Sequence, residues 1–214
     1  MSLRFVHQTP DLHLATLIAS SGFVQSLSES LQLDVDTHLK EGQMVYSIFK
    51  DDVLVGFAIF KVIPIKVSCQ SNEWSYGSRV DMTTLYLAGI LLYESVQGQG
   101  ITERVLKHVG KETGVSYFAL RTQSLRMWIA AKKKMSCWSP NPRNGIYDPY
   151  EEAVTILAEE LSMSINDKFV SQGFYGAPLY GEKPIHHDSK LQAWWDSICS
   201  FERGDAVLCI GRFK

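Results

Sequence analysis

The stretch that most restricts the fold runs from 83 to 102. Residues 83–96 (TTLYLAGILLYESV) are apolar almost throughout, and the chain then passes through Gln97-Gly98-Gln99-Gly100-Ile101-Thr102. A run of this kind is too short for the roughly 20 residues of a bilayer crossing and belongs inside a sheet covered on both faces. The spacing predicts a helix over 99–113. Ile101, Val105, Leu106 and Val109 share one face, Glu103 sits in the first turn, Lys107, His108 and Lys111 in the last, and Gly114 supplies the stop. Two glycines between strand and helix allow positive φ and close approach. The helix start presents unpaired N–H groups and the positive end of its dipole. That combination is suited to a diphosphate. It is neither a P-loop, since no Gly-Lys-Ser/Thr follows, nor a dinucleotide fingerprint, since Glu103 stands where the third glycine would be.

The rest of the chain alternates helix and strand patterns. A short strand at 3–8 ends at Pro10. A helix over 12–31 is capped by Asp11 and broken near Gly22, and a further short helix covers 34–41. Residues 44–50 and 53–66 read as a hairpin turned at Asp51-Asp52, followed by a polar loop over 67–82. Then come a strand at 115–121, a helix at 125–135, a loop at 136–149, an acidic amphipathic helix at 150–163 and a Gly-punctuated extended segment at 169–181. A helix around Leu191, Trp194, Trp195 and Ile198, capped by Asp188 or Ser189, leads to a closing strand at 206–213. The expectation is one α/β domain over 1–214 with a C-terminal elaboration at about 136–214. With 45% hydrophobic residues and a net charge of −2, the chain is globular and has no general electrostatic hold on nucleic acid or an anionic membrane. Cys69, Cys137, Cys199 and Cys209 form no Cys-x-x-Cys, so no metal site is signalled. MSLRFVHQTP has no signal-peptide core, which points to a soluble, cytoplasmic protein.

Gln97-x-x-Gly100-x-Thr102 resembles the Q/R-x-x-G-x-G/A signature of the GNAT superfamily of acyl-CoA-dependent N-acetyltransferases, with Thr102 where Gly or Ala is usual. Residues 51–57 resemble the hairpin between that family's second and third strands, 87–96 its fourth strand, 117–121 its fifth, and Thr122-Gln123-Ser124-Leu125-Arg126-Met127 the entry to its fourth helix, with Ser124 in place of Asn. The resemblance covers roughly 44–135 well and 136–214 poorly. It implies a mixed, mostly antiparallel central sheet flanked by helices and splayed between the fourth and fifth strands. It also implies acetyl-CoA as acyl donor, without a metal, and an amine as acceptor that attacks directly. Main-chain groups of Ile90, Leu91 and Leu92 would meet the pantetheine arm. Gln97, Gly98, Gln99, Gly100, Ile101 and Thr102 would form the pyrophosphate turn, and Ser124 would stand near the pantetheine.

The family's usual acid, a Tyr seven residues past the helix-entry Asn, falls on Ala131, and the fourth strand carries no carboxylate at Tyr86, Leu87, Ala88 or Gly89. Catalysis must use other groups, or the chain is a non-catalytic acyl-CoA-binding module. Gly173-Phe174 resemble the family's entry to its sixth strand, which would lie beside the fifth. This makes Tyr175 and Tyr180 the candidate phenols for proton delivery, with Tyr147 next. Asp34-Val35-Asp36-Thr37 reads as helix capping, His186-His187-Asp188 as a surface loop and cap, and Trp194-Trp195 as packing or an interface with a second copy.

Overall fold

The computed structural model describes residues 2–68, 79–143, 145 and 150–214. Strands β2 (Met44–Lys50) and β3 (Val53–Ile63) form the expected hairpin, and Asp51 and Asp52 both hold positive φ in its turn. β1 (Leu3–His7) pairs antiparallel outside β2, and β6 (Thr84–Leu92) pairs antiparallel with β3 on the other side. β4 (Lys66–Ser68) and β5 (Arg79–Asp81) pair antiparallel as a separate two-stranded sheet, and all of it but Lys66 lies in the region expected to be loop. Beyond β6 the pairing turns parallel, to β7 (Tyr117–Thr122). β8 (Met135–Ser139), β9 (Val170–Ser171) and β10 (Ala206–Phe213) complete a sheet of order β1-β2-β3-β6-β7-β10-β8, with β9 also on β10. It is a mixed, mostly antiparallel open sheet, flanked by six α-helices among the described residues.

Side-chain alternation along the strands sorts the helices onto two faces. Leu85, Leu87, Phe118, Leu120, Val207 and Cys209 face α3 (Ile101–Thr113) and α4 (Leu125–Lys132). Val45, Phe57 and Ile59 face α1 (Leu12–Phe23) and α2 (Glu29–Glu41) on the other side. Tyr86, Ala119, Leu208 and Ile210 face α5 (Glu151–Glu160). The second face is thus covered in two halves, with a gap over β6 and β7 between α2 and α5. α6 (Ser189–Ile198) starts at Asp188, whose carboxylate accepts from the Lys190 and Leu191 N–H groups, and it packs Trp194 and Trp195 against Trp128.

Three expectations fail for local reasons. The first helix ends at Phe23, because Val24 takes a left-handed C-cap. The chain restarts at Ser28, which caps α2, so Asp34 lies in mid-helix and caps nothing. α4 stops at Lys132, and residues 135–139, expected as the end of a helix and a loop, are an edge strand on β10. Finally, β10 is the strand beside β7, and the segment after Gly173 is not a strand at all. The closing apolar run Ala206–Phe213, long enough for the full register with β7, out-competes the Gly-broken segment for that edge. Tyr147 and Cys69 lie outside the described residues. Among the described residues no helix is long and apolar enough to cross a membrane.

Candidate acyl-transfer cleft

β6 and β7 are paired only from Thr84↔Tyr117 to Leu87↔Leu120. At the next residue the register of β6 against β3 slips, Ile59 facing Gly89 and Phe60 facing Leu87, so Ala88 bulges. A bulge bends its strand and sharpens its twist, and here it turns β6 away from β7. Burial follows: 84–87 are buried, whereas Ala88, Gly89, Ile90 and Leu91 are half-buried. Every second main-chain group of that stretch points away from β3 into the opening. The wedge is a cleft of about 640 Å³ lined by Leu87–Leu91, Leu120–Thr122, Met127, one side of α2, and Phe174, Tyr175 and Tyr180.

Leu92, the third expected pantetheine contact, is buried, and its carbonyl accepts from Gln97 Nε2 at 3.2 Å. The same Nε2 donates to Gly22 O at 3.1 Å, and the Gln97 N–H donates to Glu94 O. Gln97 therefore fixes the turn to β6 and α1, and neither it nor Leu92 is brought to the cleft. The turn itself is as expected. Gly98 and Gly100 hold φ of 75° and 71°, a region that disfavours side chains. A Cβ on Gly98 would meet open space, and one on Gly100 would come within 3.2 Å of Glu103 Oε2. No side chain caps α3, and Arg104 N–H is the first to bond back, to Gly100 O. The amides of Gly98, Gln99, Gly100, Ile101 and Thr102 thus gather where an anion would sit. Gln99 is held by Ser95 O and by Lys50 Nζ at 2.9 Å, while Lys133 neutralises Glu103 at 2.6 Å. Ser124 is buried as the N-cap of α4, accepting from Met127 N–H at 3.4 Å. Its further partner is the Tyr180 hydroxyl.

Tyr175 and Tyr180 do reach the cleft, though not on a strand. Residues 172–187 form a strap whose carbonyls and amides are tied to both lips. Leu179 N–H donates to Gln123 Oε1 and Leu179 O accepts from Gln25 Nε2. Gly181 N–H donates to Phe23 O, and Arg126 donates to Ile185 O. Asp205 anchors its start, accepting from Gly173 N–H and Ser200 N–H at 2.9 Å and from Arg203 at 2.7 Å. Burial pushes the Tyr180 phenol up to about 12 and that of Tyr175 higher still, against the pull of Arg121, so both stay protonated at neutral pH.

Sequence reasoning missed two groups. His38, one turn past Asp34 on α2, borders the cleft. Its Nδ1 lies 2.8 Å from Asp34 O and 3.4 Å from Asp34 Oδ1. The Asp34 carboxylate raises its pKa above the usual histidine value, against burial and Arg121. Arg121, at the end of β7, donates from Nη1 to the Tyr86 hydroxyl at 3.0 Å, and its Nη2 faces His38 Nε2 at 3.3 Å. The only available signals were a histidine at i+4 from an aspartate and a charge at a strand end. Among the described residues no group of three or more His, Cys, Asp or Glu side chains gathers as a metal site.

No protein-family model and no curated protein matches the chain. Solved structures similar to it include several acetyltransferases. They include the ribosomal-protein-S18-alanine N-acetyltransferase from Escherichia coli, 14% identical, with 100% of this chain and 95% of that one covered and a TM-score of 0.49. An acetyltransferase from Bacillus subtilis in complex with CoA is 13% identical, with 100% of both chains covered and a TM-score of 0.47. A GNAT family acetyltransferase from Elizabethkingia anophelis with acetyl-CoA bound is 16% identical, with 99% and 98% covered and a TM-score of 0.43.

Proposed function

We propose that the chain is a GNAT-type acyltransferase that moves an acetyl group from acetyl-CoA to an amine. One observation carries this: the parallel β6–β7 pair opens after Leu87–Leu120 and leaves the backbone of Gly89–Leu91 facing a cleft, and the same strand runs into a two-glycine turn with an uncapped helix start. The pyrophosphate would lie on the amides of Gly98–Thr102, and the pantetheine beside Ile90 and Leu91 in the place of a missing strand neighbour. A strand N–H aimed at the thioester oxygen would stabilise the tetrahedral adduct.

In the reaction the amine nitrogen attacks the thioester carbon, the C–S bond breaks, and the CoA sulfur leaves with the electron pair. The proton lost by nitrogen goes to His38 Nε2, whose Nδ1–H is held by Asp34. The thiolate takes a proton from Tyr175 or Tyr180, or from water. A thiolate whose acid titrates near 8.5, the cysteine value, is a fair leaving group and needs only modest help. A non-catalytic acyl-CoA-binding module is the rival reading, and the His38–Asp34 pair at the cleft favours catalysis over it. Thiol release from acetyl-CoA across a panel of amines tests the choice: acceptor-dependent release is expected, and binding of acetyl-CoA without release by any amine would leave the binding module.

A further inference from the structure

Arg121 is a cation for which acyl transfer has no evident need. It stands one residue past the last position at which β7 pairs with β6, on the face between α2 and α5. Its surroundings are neutral or offset. The Tyr86 and Tyr175 hydroxyls and His38 Nε2 are its polar neighbours, and its guanidinium carbon lies 4.6 Å from the Phe174 ring centre. Among the described residues no carboxylate oxygen comes within 4.0 Å of it. Asp34 is engaged by His38 and Glu41 by Lys61. A half-buried charge with no carboxylate in direct contact is costly to keep, since Asp34 acts on it only at a distance, and a guanidinium has five N–H donors for these three acceptors.

The spare donors face a side cavity of about 240 Å³, lined by His38, Glu41, Lys61, Tyr86, Ala88 and Arg121, with the end of α5 closing it at Glu160–Ser162. Ala88 and Arg121 border this cavity and the larger cleft alike. Phe174 covers one face of the guanidinium, and in the guanidinium plane two N–H groups can meet the two oxygens of a carboxylate. Lys61 offsets Glu41 at the cavity wall, and the remaining carboxylate there, Glu160, disfavours a doubly charged phosphate more than a singly charged carboxylate.

We propose that the acceptor is an amine that also carries a carboxylate, that Arg121 holds this carboxylate in the side cavity, and that the amine is thereby directed past Ala88 at the thioester beside Gly89 and Ile90. This rests on the acyl-transfer reading. An arriving carboxylate also competes for the Nη2 hydrogens that face His38, which frees His38 Nε2 to take the amine proton.

The test compares acetyl transfer to phenylalanine and phenethylamine, and to β-alanine and ethylamine, in the wild-type protein, Arg121→Gln and Arg121→Lys. In the wild type, kcat/KM for the carboxylate-bearing member of a pair is expected to exceed its partner's by about 10- to 100-fold, the scale of a charge-assisted pair. The ratio should fall toward one in Arg121→Gln and return only in part in Arg121→Lys. Equal or lower kcat/KM for both carboxylate-bearing acceptors in the wild type overturns the proposal, as does a ratio that survives Arg121→Gln. The wild-type ratios decide even if Arg121→Gln fails to fold. Calorimetric binding of N-acetylphenylalanine to the CoA-saturated protein separates the two readings. Binding that Arg121→Gln abolishes, with no amine turned over, supports the carboxylate subsite and removes acyl transfer. Turnover of amines without a carboxylate preference does the reverse, and neither binding nor turnover overturns both.

Discussion

At Gly100 the backbone leaves no room for error. A side chain there is strained by φ, and its Cβ would come within 3.2 Å of Glu103 Oε2. Gly100→Glu is expected to abolish the rise in Tm that acetyl-CoA gives the wild type, a stabilisation of about 2.7 kcal/mol at 100 times Kd. Circular dichroism checks that the variant remains folded, and an unchanged ligand shift would remove the cofactor from this turn. Tyr175→Phe and Tyr180→Phe probe the leaving group. One of them should lower kcat by up to ~10²–10⁴-fold, with acetyl-CoA affinity nearly unchanged; full activity in both would assign the proton to water. These residues differ in how readable they were. The glycines declare themselves, because a turn between a buried strand and a helix has few other solutions. Arg121 does not, because its meaning comes from Tyr86 and His38, distant in sequence and adjacent only after folding.

On α2, the separation of Asp34 and His38 by one helical turn makes the pair a local device that can be tuned by one substitution. The sign follows from the hydrogen bond: Asp34 favours the imidazolium, so the base form of His38 appears only above the usual histidine value. kcat/KM should therefore rise with pH through one ionisation above about 6.5, and Asp34→Asn should move that limb to lower pH. A limb that does not move in Asp34→Asn would assign the ionisation to another group. Arg121, Glu41, Lys61 and Tyr175 share this corner and stay in place in the comparison. Periodicity could place α2 only approximately, since the polar 28–41 stretch carries a narrow apolar stripe of Leu31, Val35 and Leu39. It could not separate α2 from α1 without the left-handed cap at Val24. The last third was least legible. Gly173-Phe174 invited a strand beside β7, but the sheet position went to β10, and Tyr175 and Tyr180 reached the cleft on a strap instead.

Across the whole molecule, the strap depends on Asp205, a fully buried carboxylate. Burial alone would raise its pKa, but Arg203 and the N–H groups of Gly173 and Ser200 together hold it below the usual carboxylate value. A depressed pKa contributes stability that is complete above the unfolded value, near 3.9, and is lost as pH falls through the folded one. Asp205→Ala leaves two N–H groups without their acceptor and should cost about 3 kcal/mol, or roughly 6–12 °C in Tm for a chain of this size. The gap from wild type should be constant near neutrality and narrow in acid below about pH 4; a gap that does not narrow would mean the carboxylate is not the anchor. The order in which the sheet can be assembled carries a separate consequence. β10 is made after the other strands of this sheet, yet it sits between β7 and β8 and also pairs with β9. While a chain is still being synthesised, β7 has an unpaired edge and β8 and β9 have no neighbour until Ala206–Phe213 has left the ribosome. An exposed strand edge is a template for pairing with other chains, and so distant a closure is slow. The vulnerable period of this protein is thus the interval between the emergence of β7 and that of β10, when a chaperone that shields sheet edges would have most effect on yield.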